Sequence, residues 1–130
     1  MTDDAMTALR AAIDSASDEI RSIAREIHAR PEVAFEERFA CDRQVAFLRE
    51  RGFRVERPVP VLRTPVLAGR TMDTAYRAAA GAGGGRTVAI LSEYDALPDI
   101  GHACGHHLIA ACALAARSEE RRVGKECRSR

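Results

Sequence analysis

A long stripe of apolar residues at helical spacing is the feature that most constrains how this chain can fold. From Leu9 to Ile27, apolar side chains recur every three or four residues, a period that places them on one face of an α-helix. Asp3 and Asp4 near its start suit the positive end of the helix macrodipole. Pro31 cannot continue the helix and disfavours helical angles in the residue before it. We therefore expect a long amphipathic helix that ends before Pro31.

The following segments predict a second helix and several short strands. Residues 37–51 predict a helix capped by Gly52, with a buried side formed by Ala40, Cys41, Val45, Phe47 and Leu48. The alternation in FRVER at 53–57 predicts a half-buried strand, which nearby prolines interrupt. A weaker strand is predicted at 74–80, before the glycine-rich turn GAGGG.

The last part of the chain predicts a core strand followed by a core helix. TVAILS at 87–92 is a short apolar run rich in β-branched residues, which is typical of a strand buried on both faces. The small apolar residues from Leu108 to Ala116 predict a buried helix. The order of elements indicates an α/β or mixed fold with an incomplete sheet flanked by helices.

Composition narrows the class of protein. The chain has 130 residues, of which 46% are hydrophobic and 30% charged, as expected for one compact globular domain. Its net charge of +1 and its interleaved acids and bases give no case for binding nucleic acid. The sequence shows neither a membrane span nor a secretory signal, so we expect no membrane partner and a cytoplasmic location.

The final stretch, RSEERRVGKECRSR at 117–130, differs from the rest of the chain. It contains the only lysine, Lys125, and a high density of arginine. Charged termini are usually solvated arms, but this stretch resembles one reading frame of a widely used sequencing-library adapter. We therefore interpret residues 117–130 as a non-native tail and 1–116 as the natural sequence.

The chemically versatile side chains concentrate in SEYDALPDIGHACGHHLIAACALAA. Within 15 residues this stretch holds Glu93, Asp95, Asp99, His102, Cys104, His106 and His107. It follows the predicted core strand, and ligands of open α/β sheets bind at the carboxyl ends of strands. Zinc accepts both sulfur and nitrogen ligands. Cys104 and His106 can converge on one ion only in a turn, which Gly101 and Gly105 permit.

Several interpretations of this cluster remain open. Asp95 can be a metal ligand or the carboxylate that fixes the tautomer of a ligating imidazole. Alternatively, Asp95 caps a turn, the histidines bond to local backbone groups and Cys104 is a small buried residue. The clustering at a strand end favours a functional site over this purely structural interpretation.

Two further kinds of site are less favoured. A nucleophilic Cys104 needs an imidazole within hydrogen-bond reach, which neighbours in a tight loop rarely provide. A closed structural zinc site drawn from Asp95, His102, Cys104, His106 and His107 lacks any paired CxxC motif. Cys41 and Cys112 are expected to be core thiols and Cys127 lies in the suspect tail, so no disulfide framework is indicated.

Two motifs resemble a known family. IHARPEVAFEE at 27–37 and SEYDALPDIGHACGHHLIAACALAA are similar to the zinc metallopeptidases related to aminoacylase. The closer likeness is to their amidohydrolase branch, which includes aminobenzoyl-glutamate hydrolase, hippurate hydrolase and aminoacylase-like dipeptidases. The similarity extends over nearly all of residues 8–116.

The resemblance implies a metal-dependent hydrolase that cleaves an amide bond in N-acyl amino acids or short peptides. It implies that Cys104 and His106 bind metal, that Asp95 supports the metal site, and that the whole enzyme holds two divalent ions (zinc, manganese or cobalt) and is a homodimer. The fold it implies is the N-terminal part of a di-metal catalytic domain. In such a site the metals lower the pKa of a bridging water and polarise the scissile carbonyl.

The chain departs from the family pattern in three respects. His107 stands where Asp or Asn is frequent, and Arg30 where His is common. The family's general-base Glu, its further metal ligands and its smaller lid and dimerisation domain come later than Ala116. We therefore expect the 130-residue chain itself to be inactive. The rival hypotheses are a small Cys/His metal-binding module without catalysis, and an interaction domain without a site.

Overall fold

The computed structural model describes residues 3–60, 71–81 and 87–126. Its helices are α1 (Asp3–His28), α2 (Arg38–Glu50) and α3 (His106–Glu126), and its strands are β1 (Arg54–Glu56), β2 (Val59–Pro60), β3 (Thr71–Met72) and β4 (Arg77–Ala79). The predicted α/β character is confirmed. In these residues the strands form two separate two-stranded antiparallel sheets, β1–β4 and β2–β3.

Helix α1 forms the centre of the hydrophobic core, as its apolar period predicts. It packs mainly against α3, and its side chains Ile23 and Ile27 are completely buried. Ala110 and Leu114 of α3 belong to the same hydrophobic cluster. Burying one isoleucine is worth about 1.5–3 kcal/mol, so this helix pair supplies much of the driving force for folding.

Helix α2 and its cap also agree with the sequence prediction. The predicted apolar side is buried, and Gly52, whose φ is 71°, follows directly after the C-cap residue Arg51. The Phe53 amide donates to the Leu48 carbonyl at 3.0 Å and the Gly52 amide donates to the Arg49 carbonyl at 2.8 Å. These two bonds form a Schellman motif, and Phe53 and Leu48 pack in the core beside it.

The predicted strands at 53–57 and 74–80 both form, as β1 and β4. They pair with each other in antiparallel register, with Val55 opposite Ala78. Both residues pack against the hydrophobic cluster, so one face of this small sheet is covered by the helices.

The prediction of a buried strand at 87–92 is wrong for the described residues. The segment adopts no regular structure, and the side chains of residues 87–91 are exposed, to 55% at Val88 and 81% at Leu91. The apolar run is suited to a sheet interior, but no described strand lies beside it to complete a ladder. Its composition therefore suits a buried strand, but the described part of the chain does not bury this segment.

Helix α3 forms where a helix is predicted, with two differences. It begins at His106 rather than after the histidines, and it continues beyond Ala116 to Glu126. In residues 106–116 only one side is buried: Leu108 is 55% exposed, and Cys112 is exposed rather than a core thiol as predicted. Cys41 is buried, as predicted.

Two predicted features fall wholly or largely outside the described residues. These are Cys127 and most of the GAGGG turn. Among the described helices, none combines the length and apolar content that a membrane crossing requires.

Candidate functional site

The DALPDIG stretch forms a closed turn on the surface of the helix pair. The Leu97 amide donates to the Gly101 carbonyl at 2.9 Å, and the Gly101 amide donates back to the Leu97 carbonyl at 3.1 Å. Asp99 inside the turn has a φ of 66°, and Gly101 a φ of 64°. A β-carbon on Gly101 would lie 3.7 Å from Cβ of Pro31. The turn therefore rests on the proline that follows α1.

A second glycine directs the chain from this turn into α3. Gly105 has a φ of 83°, a left-handed value that residues with a side chain rarely adopt. Its amide donates to the His102 carbonyl at 3.1 Å, and its own carbonyl accepts the Leu108 amide at 2.9 Å. His106 is consequently the first residue of α3. The two glycines thus make the turn that the sequence led us to expect.

This geometry brings Asp95 and His106 into direct contact. Oδ1 of Asp95 lies 2.7 Å from Nδ1 of His106, and Oε2 of Glu93 lies 3.4 Å from Nε2 of the same ring. An ionised carboxylate can only accept a hydrogen bond, so Nδ1 carries the proton in this pair. In this tautomer the lone pair of the ring lies on Nε2, the atom through which such an imidazole binds a metal ion.

Cys104 lies one residue before Gly105, and its free thiol is exposed. An accessible thiol and an imidazole oriented by a carboxylate fit the donor chemistry of a zinc-type ion. They do not make a complete site: among the described residues, no three His, Cys, Asp or Glu side chains are arranged to hold an ion. Cys104 and His106 therefore match such an ion in donor chemistry, but the described residues do not complete a site for it.

The closed zinc site considered from the sequence is not formed. His102 and His107 instead pack against His28, the last residue of α1. The ring centroids lie 4.8 Å apart for His28 and His107, 5.1 Å for His102 and His107, and 6.1 Å for His28 and His102.

Sequence reasoning assigned no role to His28. Its place directly after Ile27, at the end of the apolar stripe, was the available signal. His102 is only 6% exposed, and neither of its ring nitrogens has a hydrogen-bond partner in the described part of the chain; the same holds for Nδ1 of His107. Burial lowers the pKa of His102 and of His107, and the neighbouring imidazoles add to this effect. These rings are therefore held neutral.

A buried polar network anchors the segment that leads into the site. Oε1 of the fully buried Gln44 accepts hydrogen bonds from Ser92 at 2.7 Å and from Tyr76 at 3.0 Å. The Tyr94 hydroxyl donates to the Thr74 carbonyl at 2.5 Å. Burial raises the pKa of Tyr76 to about 12 and that of Tyr94 further. Both phenols therefore remain neutral donors, and the bonds made by Ser92 and Tyr94 hold the chain on either side of Glu93.

Comparison with known proteins finds similarity to two proteins named as dipeptidases. The chain is 39% identical over 110 residues to the Xaa-Arg dipeptidase of Mus musculus, and 36% identical over 121 residues to the Xaa-Arg dipeptidase of Homo sapiens. Each match covers 80% of this chain but only 24% of the relative. The chain thus spans about a quarter of the length of the curated relatives it matches. No family model matches it.

Proposed function

We propose that this chain belongs to a metal-dependent amidohydrolase or peptidase that hydrolyses an amide bond in short peptides or N-acyl amino acids. The observation that carries the proposal is the pairing of Asp95 with Nδ1 of His106, two residues from an exposed Cys104. Similarity to two proteins named as dipeptidases supports the reaction class. Their name makes peptides ending in arginine the first substrates to test.

In this proposal each residue has a distinct role. Cys104 and His106 bind metal, and Asp95 holds His106 in the tautomer that presents Nε2. Two divalent ions, zinc, manganese or cobalt, would when bound lower the pKa of a water and polarise the scissile carbonyl. Glu93, 3.4 Å from Nε2, adds negative charge beside this atom and so favours a cation there.

We further propose that residues 1–116 are the N-terminal part of the catalytic domain. The exposed apolar segment 87–92 supports this, because its composition suits a sheet interior that other strands would complete. On this proposal the general base and remaining ligands lie in the rest of the enzyme, which is a cytoplasmic homodimer, and the 130-residue chain is inactive. Residues 117–130 are proposed to be non-native; a genomic stop codon directly after Arg130 would contradict this.

The test uses the full-length protein encoded by the uninterrupted gene, purified without chelators. Elemental analysis should find about two transition-metal ions per subunit, and metal removal should abolish hydrolysis of dipeptides. Cys104→Ser and His106→Ala should each lose metal and activity. Cys112→Ser, which changes an exposed thiol elsewhere on α3, should lose neither. A protein without metal, or one whose turnover survives metal removal, would refute the proposal.

A second candidate is a small Cys/His metal-binding module without catalysis. The ring nitrogens of His102 and His107 that lack hydrogen-bond partners in the described residues support this candidate, because they remain available as metal ligands. It requires the 130-residue chain to bind zinc stoichiometrically with sub-micromolar affinity and to melt cooperatively. Failure of either measurement removes this candidate.

A further inference from the structure

Helix α2 is capped by a residue outside its own first turn. Its N-cap residue, Glu37, makes no side-chain hydrogen bond to the helix. Instead Oε1 of Glu32 accepts the Phe39 amide at 2.9 Å, and Oε2 accepts the Ala40 amide at 2.9 Å. The carboxylate thus satisfies two amides that no helix can satisfy internally, and its charge suits the positive end of the helix dipole.

The backbone of the same residue binds the segment that carries the candidate site. The Glu32 carbonyl accepts the Ala96 amide at 2.7 Å, and Val33 forms an isolated parallel bridge with Ala96. Ala96 is only 2% exposed. Glu32 therefore joins two separate parts of the chain: its side chain is hydrogen-bonded to α2, and its carbonyl is hydrogen-bonded to the amide of residue 96.

This junction lies directly beside the Asp95–His106 pair. Asp95 directly precedes Ala96 in the chain. The hydrogen bond from the Ala96 amide to the Glu32 carbonyl therefore fixes the backbone position from which the Asp95 side chain extends. Pro31, the residue before Glu32, supports the other end of the turn at Gly101. A shift of residues 31–33 would therefore move Asp95 relative to α3.

We propose that Glu32 is a positioning residue for the candidate site. By clamping the loop after α1 to the first turn of α2, its carboxylate holds residue 96 in place and thereby keeps Asp95 on Nδ1 of His106. The inference rests on the proposed function, which it deepens by naming a residue that controls the tautomer of a metal ligand. The geometric part of the inference does not require a metal ion.

The test measures the His106 tautomer in the metal-free 130-residue chain labelled with ¹⁵N-histidine. Long-range ¹H–¹⁵N spectra of the ring distinguish a proton on Nδ1 from one on Nε2. The unmodified chain should carry it on Nδ1. Glu32→Ala should displace Asp95 from His106. The ratio of the Nδ1–H to the Nε2–H form should then fall by about tenfold, because the ring loses its hydrogen bond to the charged Asp95 carboxylate. Glu32→Gln keeps one acceptor oxygen and should give an intermediate ratio.

Two variants separate positioning from general destabilisation. Glu36→Ala removes an exposed carboxylate from the same loop and should leave the tautomer unchanged. Arg51→Ala removes the bond to Glu19 and the cation–π contact with Phe47 at the opposite end of α2, so it weakens the same helix without touching Glu32. It should also leave the tautomer unchanged.

The outcomes distinguish this inference from the function on which it rests. A Glu32→Ala chain that keeps the unmodified ratio, or an Arg51→Ala chain that loses it equally, overturns the positioning role even if the full-length protein is a metalloenzyme. A tautomer change confined to the Glu32 variants establishes the positioning role even if the full-length protein binds no metal.

Discussion

The Asp95 carboxylate lies 2.7 Å from Nδ1 of His106, although the two residues are 11 positions apart in the chain. Two left-handed glycines between them, Gly101 and Gly105, fold the intervening residues into a compact turn. The contact therefore depends on backbone angles that other residues rarely adopt. It gives the imidazole a fixed orientation before any ligand arrives.

Replacing Asp95 with Asn tests this contact directly. An amide can still reach Nδ1 but no longer holds the proton there by charge, so we expect metal affinity of the full-length protein to fall by about 10–100-fold. Competition with a chelator measures the affinity. The matched control is Asp99→Asn, at an exposed left-handed position that asparagine tolerates. Equal affinity in the Asp95 variant and the unmodified protein would mean that the carboxylate does not support the site.

Gln44→Leu tests the buried polar network. The substitution keeps the volume but leaves the hydroxyls of Tyr76 and Ser92 without their acceptor. We expect the free energy of unfolding, measured by urea denaturation, to fall by about 2 kcal/mol. Ser22→Ala, which removes an exposed hydroxyl bonded to Glu26, should change it by less than about 0.5 kcal/mol. An unchanged stability for Gln44→Leu would show that solvent replaces the acceptor.

Gly52→Ala tests the cap of α2. A β-carbon at a φ of 71° is strained, and the change should cost about 1 kcal/mol of unfolding free energy. Gly52→Asn should cost less, because asparagine tolerates left-handed angles. Thermal unfolding of the two variants provides the comparison, and equal losses would assign the effect to side-chain bulk rather than to backbone strain.

The local elements of this fold could be predicted from the sequence because their causes are local. The three- and four-residue spacing before Ile27 and the stop at Pro31 define α1, and Gly52 defines the end of α2. The segment at 87–92 could not be predicted in the same way, since its apolar composition specifies burial but not the strand that must lie beside it. The sequence pattern therefore predicts the environment in which a segment is stable, but not whether the described part of the chain provides that environment.

The turn that carries the candidate residues was predictable from the sequence, but the contacts of those residues were not. The spacing of Cys104 and His106, with Gly101 and Gly105 between the acids and the helix, indicated a turn that collects ligands. The sequence left open whether Asp95 binds an ion or an imidazole, and its contact with His106 arises from the folded turn rather than from sequence spacing alone. His28 was missed because its contacts with the other rings are long-range.

Glu26 provides a test by pH. The hydrogen bond from Arg43, aided by Ser22, holds the pKa of this carboxyl below its usual 4.5. Since the folded-state pKa is lowered, the stabilisation is present above about pH 4.5 and is lost as the pH falls through the folded-state value. Glu26→Gln should therefore lower the unfolding free energy by about 0.5 kcal/mol near pH 7, a small value because the pair is partly solvated.

The difference between Glu26→Gln and the unmodified chain should vanish on acidification below the folded-state pKa of Glu26, where the carboxyl is protonated in both states. Arg43→Met removes the same ion pair from its other side and should show the same convergence. Denaturant titrations at several pH values measure it. A stability difference that persists in acid would assign the effect to packing of the side chain rather than to its charge.

The apolar segment 87–92 gives a test with opposite outcomes in two proteins. Leu91 is 81% exposed, so Leu91→Lys should change the unfolding free energy of the 130-residue chain by less than about 0.5 kcal/mol. In the full-length protein, where we propose that neighbouring strands cover this segment, burial of a lysine should cost at least about 2 kcal/mol. Leu48→Ala, at a position only 1% exposed, should cost about 2–5 kcal/mol in both. A full-length protein that tolerates Leu91→Lys would show that the segment stays on the surface and that its composition serves something other than a sheet interior.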